Sequence, residues 1–398
     1  MRMPNSEDMS EEQMKVYVMA PMTGAILVTG PPGTGKTVIA FQRAKSAFDM
    51  QQKVKVVMYN NVLKFFTRNV AEDNFKTSTL HSWVWGWWKY VCYKPQLPME
   101  SDDRWQHDWN KMFGILNKKQ EDGRLQLNRL NWGHLIIDEG QDFPDKMYFF
   151  LENVRKIFFQ TTKEDKKPAI TVFADENQRL GKSNSTIDQI RSALRISPDD
   201  TKRNYTLTKN YRNTKQIADL AAFFYAGLPT GIPKLPEKNG EIPRLVIGKS
   251  LDSSIDYILR HIKNRDNEEI GIIVQSDPLR QKIYETLQTE LSKYQQIKLQ
   301  TYSFKQKQEL EFDQPGTVTI LNKQSCKGLE FDSVFLPELQ QITITPSELV
   351  KFNMEMYVMI ARARKSICLM VNNSGSGTPE LIKHLPANSK NLLEIQHV

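Results

Sequence analysis

Short runs of apolar residues alternate along the chain with longer stretches in which apolar residues recur every three or four positions. The runs have the length of buried β-strands, and the longer stretches have the period of amphipathic helices. Strands that alternate with helices predict mostly parallel sheets covered by helices on both faces. The pattern predicts an α/β fold with two such sheets. Its strands are expected at residues 25–28, 54–59, 134–137, 169–173, 205–207, 244–247, 269–274, 318–321, 333–336 and 367–371.

The segment after the first predicted strand has the P-loop pattern, in the order Gly30-Pro31-Pro32-Gly33-Thr34-Gly35-Lys36-Thr37. Glycines let the backbone approach phosphates closely, and the start of the helix that follows points amide donors at them. Lys36 is expected to reach the terminal phosphates, and the Thr37 hydroxyl is expected to hold Mg²⁺. The strand, loop and helix context favours a nucleoside triphosphate site over an ordinary glycine-rich turn.

Two further predicted strands end in polar residues that suit phosphate chemistry. The run His134–Ile137 leads into Asp138 and Glu139. Asp138 is expected to bind Mg²⁺, and Glu139 is expected to orient and deprotonate an attacking water. The strand at 169–173 leads to Gln178, which would lie either near the terminal phosphate or in a solvated polar turn.

Composition narrows the class of protein without changing the fold prediction. Charged residues make up 25% and hydrophobic residues 39% of the chain, as in ordinary globular proteins. No apolar run approaches the roughly 20 residues of a membrane helix, and the first residues lack a signal peptide's apolar core. The three cysteines are far apart, so a reducing cytoplasm is the expected location. The net charge of +8 suits a polyanionic partner such as nucleic acid.

All seven tryptophans lie between Trp83 and Trp132, interleaved with basic and acidic residues. Aromatic rings beside cations can stack on unpaired bases. Large aromatic side chains mainly supply buried area, however, so most of these rings are expected to form the core of a small inserted subdomain at about residues 84–133. One or two of the tryptophans are expected to face nucleic acid.

The order of the motifs resembles that of superfamily 1 helicases of the UvrD/Rep-like branch, in a form reduced in size. The resemblance runs from about Gln13 to Met370 and depends on an ordered series of motifs, which is more specific than any one of them. The series is Gln13, the P-loop, Thr79-Leu80-His81, Asp138-Glu139-Gly140-Gln141-Asp142, Ala174-Asp175-Glu176-Asn177-Gln178, Asn210-Tyr211-Arg212, Lys327-Gly328-Leu329-Glu330-Phe331 and Tyr357-Val358-Met359-Ile360-Ala361-Arg362-Ala363.

The resemblance implies two RecA-like domains, at residues 1–190 and 191–398, with ATP and Mg²⁺ bound in the cleft between them. Guanidinium groups suit the spread charge of phosphates, and fingers supplied by the opposite domain would couple hydrolysis to domain closure. The implied roles are adenine reading by Gln13, stacking on the base by Tyr211, metal support by Asp138, general base catalysis by Glu139, γ-phosphate sensing by Gln178, arginine fingers at Arg212 and Arg362, and approach to the same phosphate by Glu330.

The same resemblance implies that nucleic acid crosses both domains. The chain is then expected to be an ATP-dependent helicase or translocase on single-stranded nucleic acid, with DNA preferred over RNA. The positions that match strand contacts in the family are Tyr59, Asn61, Thr79, His81, Gln324 and Ser325.

Three departures from the family pattern keep a second function open. Residues 179–181 are Arg, Leu and Gly where the family often has an aromatic, Gln324 replaces a histidine, and Ala361 replaces a threonine. The three departures weaken the case for efficient translocation. The missing aromatic and the reduced size favour a nucleic-acid-sensing ATPase subunit that switches a partner protein, such as a nuclease, without processive unwinding. The same ATP site would serve both functions. A small-molecule kinase is disfavoured, because P-loop kinases rarely need two sheets.

Overall fold

The computed structural model describes residues 9–58, 62, 75–93, 96–103, 106–178, 184–228, 230–303, 310–373, 380–386, 389 and 391–398. These residues form a six-stranded sheet and a seven-stranded sheet, and every strand pair is parallel. The predicted α/β fold with two mostly parallel sheets is therefore confirmed.

The first sheet and its helices come from residues 11–206. The strands are β1 (Ala25–Thr29), β2 (Val54–Met58), β3 (Lys76–Thr79), β4 (His134–Ile137), β5 (Ala169–Ala174) and β6 (Asn204–Thr206). The helices are α1 (Glu11–Met14), α2 (Lys36–Asp49), α3 (Leu80–Cys92), α4 (Trp109–Glu121), α5 (Leu127–Leu130), α6 (Asp145–Asn153) and α7 (Ile187–Ala193). The strand order is β3-β2-β4-β5-β1-β6, so β1 with its P-loop lies beside β5 and one strand away from β4.

The second sheet has strand order β13-β7-β12-β11-β8-β10-β9. Its strands are β7 (Arg244–Gly248), β8 (Ile270–Val274), β9 (Lys298–Thr301), β10 (Thr317–Asn322), β11 (Phe331–Leu336), β12 (Ala363–Asn372) and β13 (Glu394–His397). The helices that follow β6 in the chain are α8 (Lys215–Phe223), α9 (Leu251–Asn264), α10 (Asp277–Leu291) and α11 (Leu349–Ile360).

Strand β6 pairs with β1 although its residues come after 190, the predicted end of the first domain. The chain therefore completes the first sheet before it enters the second. The division into 1–190 and 191–398 stays a prediction.

Apolar residues on the two faces of β1 belong to two different clusters. Leu27 packs with the tryptophans and with Leu135 of β4. Ile26 belongs to a cluster that also includes Ile217 of α8 and Leu369 of β12, and that cluster therefore contains residues of both sheets. Strands buried on both faces are expected in a parallel sheet covered by helices.

The tryptophan-rich segment packs onto the first sheet. Trp83, Trp87, Trp88, Trp109 and Trp132 are buried in the same cluster as strand residues of that sheet. The prediction that most of the rings supply core is confirmed for these five, although they share the core of the sheet and do not enclose one of their own. Trp85 is exposed, and Trp105 lies outside the described residues.

Within the described part of the chain, no helix combines the length and the apolar character that a membrane crossing requires.

Candidate nucleotide site between the two sheets

The P-loop connects β1 to α2 and needs glycine at two positions. Gly33 and Gly35 have φ angles of +79° and +86°, in the left-handed region that favours glycine. A Cβ at Gly33 would lie 2.3 Å from Oδ1 of Asn210, and one at Gly35 would lie 2.4 Å from Nε2 of Gln13. The loop thus passes close to two of the motifs that are distant from it in sequence.

Lys36 and Thr37 connect the P-loop to the acidic ends of its neighbouring strands. Lys36 Nζ donates to the carbonyls of Gly30 (2.6 Å) and Pro31 (3.0 Å) and lies 3.8 Å from an oxygen of Asp175. Burial lowers the pKa of Lys36, and the charge of Asp175 opposes that shift. Thr37 Oγ1 donates to Asp138 Oδ2 at 2.8 Å, so a hydroxyl and a carboxylate meet at one point.

The two acids that follow β4 lie in environments that separate their pKa values. Burial, together with the charge of Glu139, raises the pKa of Asp138 to about 7. Burial alone would also raise the pKa of Glu139. Lys327, Lys36 and a hydrogen bond of 2.7 Å from Gln141 Nε2 outweigh it and hold that pKa below its ordinary value. Glu139 is therefore ionised at neutral pH, as a general base must be.

Glu139 also has an unusual backbone conformation. Its φ is +56°, which few residues other than glycine adopt. Gln141 bridges this turn to the neighbouring strand, because its Oε1 accepts from the backbone N–H of Asp175 at 2.9 Å. Strained backbone of this kind occurs often at functional sites, where surrounding contacts hold it in place.

Gln178 and Arg362 form a direct hydrogen bond between the two halves of the chain. Gln178 Nε2 donates to Asp175 Oδ2 at 2.7 Å, and its Oε1 accepts from Arg362 Nη2 at 2.8 Å. Arg362 is buried and also donates to the carbonyls of Val358 and Leu329. Burial lowers the pKa of Arg362 to about 10, so the guanidinium stays charged at neutral pH.

A second connection joins Lys327 to Asp142, and the motifs gave no role to either residue. Lys327 Nζ lies 2.6 Å from both carboxylate oxygens of Asp142 and also donates to the carbonyl of Gln178. Burial raises the pKa of Asp142 to about 7, against the effect of Lys327. The signal in the sequence is the lysine of the Lys-Gly-Leu-Glu-Phe motif, whose partner cannot be read from spacing.

Tyr211, Arg212 and Glu330 form the other side of the site. Tyr211 donates its backbone N–H to the Gly33 carbonyl at 2.8 Å and leaves its ring exposed. Arg212 Nε donates to Glu330 Oε2 at 2.7 Å. Burial alone would raise the pKa of Glu330, but Arg212 and Arg364 hold it below its ordinary value.

Gln13 reaches the P-loop from the first helix. Ser10 and Gln13 form a reciprocal capping box at the start of α1. Gln13 Nε2 donates to the Thr34 carbonyl at 3.0 Å. One amide therefore both caps the helix and contacts the loop that would surround the phosphates.

A single cavity of about 690 Å³ collects most of the predicted ATP-site residues from both halves of the chain. Its lining includes Gln13, Gly33, Gly35, Lys36, Thr37, Glu139, Gln178, Tyr211, Arg212, Glu330 and Arg362. Among the described residues, no group of three or more His, Cys, Asp or Glu side chains could hold a metal ion.

Of the six predicted nucleic-acid contacts, the four that the structure describes do not line this cavity. Thr79 ends β3, and His81 is exposed in the first turn of α3 with its ring 4.7 Å from that of His107. Gln324 and Ser325 lie in the turn after β10, where Gln324 is exposed and Ser325 is partly buried. Tyr59 and Asn61 lie outside the described residues, as do residues 179–181.

Comparisons with known proteins agree at the level of a helicase domain. A curated relative is "Putative ATP-dependent DNA helicase R568" of Acanthamoeba polyphaga mimivirus, which is 24% identical over 259 residues. That match takes in 61% of this chain and 35% of the relative, so the chain spans about a third of the relative's length.

Two solved structures are similar to the chain at low identity. The C-terminal domain of a possible DNA helicase from Lactobacillus plantarum is 19% identical with a TM-score of 0.34, over 46% of this chain and 98% of that one. Pif1 helicase from Candida albicans is 14% identical with a TM-score of 0.48, over 94% of this chain and 97% of that one.

A family model described as "Schlafen group 3, DNA/RNA helicase domain" matches residues 23–336. Because this match covers most of the chain, the protein belongs to the Schlafen group 3 DNA/RNA helicase domain family.

Proposed function

We propose that this chain is an ATP-dependent translocase or helicase that acts on single-stranded nucleic acid, with DNA preferred over RNA. ATP binds in the cavity between the two RecA-like domains, and its hydrolysis drives their relative motion. The observation that carries the proposal is the hydrogen bond between Gln178 and Arg362, which joins the two sheets beside the catalytic acids. Assignment to the UvrD/Rep-like branch stays a prediction.

The residues around the cavity suit phosphoryl transfer to water. In the proposal Lys36 binds the terminal phosphates, Glu139 takes the proton of the attacking water, and Arg212 and Arg362 stabilise charge on the γ-phosphate. Such reactions depend on positioning and charge neutralisation more than on covalent chemistry. The ionised state of Glu139 and the permanent charge of the two arginines support these roles.

Thr37 and Asp138 are the residues that would hold Mg²⁺. Their oxygens are 2.8 Å apart, and hydroxyl and carboxylate oxygens are the ligands this ion takes in proteins, with phosphate oxygens and waters completing the set. When bound, the ion neutralises charge on the phosphates. Loss of the proton from Asp138 would then accompany binding, because its buried carboxyl has a raised pKa.

ATP hydrolysis is coupled to domain motion because two groups expected to contact the γ-phosphate already contact each other. The Gln178 amide accepts a hydrogen bond from Arg362, although the resemblance implies that both side chains contact the γ-phosphate. An arriving γ-phosphate would compete for both groups and change the contact between the sheets. A ligand that alters an interdomain contact in this way shifts the domains between two arrangements.

Steady-state ATP hydrolysis tests the proposal. It is measured alone and with single-stranded DNA, single-stranded RNA or blunt duplex, at low and moderate salt. Strong stimulation by a single strand, weakening as salt rises, is expected because phosphate contacts release counterions. If no nucleic acid stimulates turnover, the proposal is wrong and an ATPase that switches a partner protein is favoured. A strand-displacement assay then separates unwinding from translocation alone.

A further inference from the structure

We propose that the exposed face of helix α3 is a second nucleic-acid contact, on which bases of a single strand stack after they leave the motor. We define the α3 face as Trp85, Lys89, Tyr90 and Tyr93, together with Arg129 of α5. The proposal rests on the proposed function, since it extends the path of the same strand.

The helix divides its aromatic residues between core and solvent. Trp83, Trp87 and Trp88 are buried against the first sheet, whereas Trp85 is 50% exposed and Tyr93 is 61% exposed. Burial therefore accounts for the first group of rings and leaves the second group without a role in the core.

The exposed side chains form a regular row. Positions 85 and 89 are four residues apart and so lie on one side of the helix, and position 93 follows at the same spacing just past its end. A rise of 1.5 Å per residue separates successive members by roughly 6 Å along the axis. The row therefore alternates a ring, a cation and a ring over about 12 Å.

Cations lie directly beside the exposed rings. Lys89 Nζ is 5.1 Å from the centre of the Trp85 ring. The Arg129 guanidinium is 4.2 Å from the Tyr93 ring and 4.9 Å from the Tyr90 ring, and it donates to the Tyr90 carbonyl.

The charge of this face suits a polyanion. The segment from residue 80 to residue 93 contains no Asp or Glu. Rings that stack on bases, beside cations that attract the backbone, are the combination by which proteins bind single strands without regard to sequence. An exposed row of this composition thus fits a single strand of nucleic acid.

The backbone at Tyr93 supports a role beyond folding. Tyr93 follows the last turn of α3 with φ +56°, where helices usually place glycine. A bulky aromatic residue in this region is strained, and strain that persists points to a functional demand. In this conformation the Tyr93 ring lies against the Arg129 guanidinium.

The row begins beside two residues that are predicted to contact the single strand of nucleic acid. Helix α3 begins immediately after Thr79 and carries His81 in its first turn, and both residues match strand contacts of the resembling family. Thirteen residues of helix extend about 20 Å from that point. A strand that passes Thr79 and His81 can therefore continue along the α3 face.

Fluorescence anisotropy with labelled single strands of increasing length tests the inference. The wild-type chain is compared with Trp85→Ala/Tyr93→Ala, with Lys89→Gln/Arg129→Gln, and with Phe149→Ala. Phe149 is the matched control, because it is 53% exposed on α6 and lies outside both the ATP site and the α3 face. Thermal unfolding of each variant establishes that it is folded.

We expect wild-type affinity to rise once the strand is long enough to reach α3, and the aromatic variant to lose that rise. The loss should be on the order of tenfold for each ring removed. The Gln variant should make the dependence of affinity on salt shallower by about 0.7 in log–log slope for each cation removed. Phe149→Ala should behave as the wild type.

Two other outcomes would contradict the inference in different ways. If short strands bind and the aromatic variant still gains affinity with length, the α3 face is not a strand contact, although the proposed function stands. If no strand of any length binds to the wild type, the proposed function fails and the inference fails with it. A face that binds protein and not nucleic acid would give the first of these results.

Discussion

At the scale of single residues, the chemistry of the site depends on two adjacent carboxyl groups whose pKa values are shifted in opposite directions. Asp138 and Glu139 are both buried, yet only Glu139 has its pKa held below the ordinary value. Lys327 comes from the second half of the chain and is the largest of the influences that lower this pKa. The charge state of the proposed base therefore depends on the contact between the two halves.

Replacing Glu139 by Gln should remove ATP hydrolysis and leave ATP binding intact. The amide keeps the size and polarity of the side chain but cannot accept the proton of water. A general base typically contributes on the order of 10²–10⁴-fold, so kcat should fall by about that factor. Steady-state kinetics gives kcat, and titration with a fluorescent ATP analogue gives the affinity.

The matched control for this prediction is Lys36→Ala, which should lose nucleotide affinity, since Lys36 is the buried cation of the P-loop. If Glu139→Gln hydrolysed ATP as fast as the wild type, the assignment of the base would be wrong. If it bound no nucleotide, the effect would be structural, because Glu139 also holds the strained turn after β4.

At the scale of elements, β4 contains a histidine that should make stability depend on pH. His134 is buried, and its Nε2 is 2.9 Å from Thr171 Oγ1. Burial, with a smaller effect of Arg43, lowers its pKa to about 3. The unfolded chain binds a proton near pH 6.5, and the folded chain does so only near pH 3. Stability from this residue is thus complete above about pH 6.5 and is lost as the pH falls toward 3.

Between about pH 7 and pH 5 this loss should be about 2 kcal/mol in the free energy of unfolding. In His134→Gln the amide can still reach Thr171 but cannot take up a proton, so the decline should be shallower by that amount. Denaturant unfolding at several pH values measures the difference. His107, whose pKa burial lowers to about 4, remains in both proteins and does not affect the comparison. Equal slopes would contradict the prediction.

The end of α3 gives a prediction in which stability and binding change in opposite directions. Tyr93→Gly should raise the free energy of unfolding by about 0.5–1 kcal/mol, because glycine adopts the left-handed conformation without strain. It should also weaken binding of long single strands, since the ring beside Arg129 is lost. Thermal unfolding and anisotropy on the same preparations test both effects. A less stable variant would mean that packing of the ring on Arg129 outweighs the strain.

The elements that sequence patterns predicted are those with buried, apolar residues. Strands β4 and β5 were predicted because they are buried and mostly apolar. Strands β3, β9 and β13 were missed because they are short and polar. They lie at sheet edges, where polar side chains can be exposed to solvent.

The end of helix α11 is mispredicted because the helix and the start of the strand that follows it are both buried. The sequence pattern predicts a helix at residues 355–364, whereas the structure has it at Leu349–Ile360, and the last of the predicted residues belong to the turn and the start of β12. Residues 354–363 are buried without interruption, across the end of the helix and the first residue of β12. A run of buried residues that crosses from helix to strand gives no signal of where the helix ends.

The site was predictable only where a motif carries its own chemistry. The P-loop and the acids after β4 follow from local sequence, and they line or adjoin one cavity. Lys327 and Asp142 are 185 positions apart, and their contact depends on how the two sheets meet. No local pattern contains that information.

At the scale of the whole molecule, the two halves meet through buried charged groups next to Glu139, the proposed base. The Lys327–Asp142 pair and the Gln178–Arg362 hydrogen bond both cross between them. Buried ion pairs often contribute little net stability, but removal of one partner leaves an unpaired charge. These contacts therefore define one arrangement of the two halves, and removing either partner of a pair should lower the free energy of unfolding.

Replacing either partner of the Lys327–Asp142 pair should destabilise the chain far more than replacing both. Lys327→Met or Asp142→Leu alone should lower the free energy of unfolding by about 3–5 kcal/mol, because an uncompensated buried charge remains. The double variant should unfold with nearly the free energy of the wild type, because hydrophobic residues of similar volume often replace a buried ion pair at little cost. Denaturant unfolding above pH 7, where Asp142 is ionised, measures the four proteins.

The exposed pair Lys298–Glu311 provides the control, since its charges are 2.6 Å apart but open to solvent. Replacing either of its members should change stability by less than about 1 kcal/mol.

If Lys327 serves only stability, the variant that lacks both Lys327 and Asp142 should keep nucleic-acid stimulation of ATP hydrolysis. We expect it to lose that stimulation, because Lys327 also lowers the pKa of Glu139 and contacts the Gln178 carbonyl. A double variant with restored stability and intact stimulation would show that the pair holds the halves together without coupling them to catalysis.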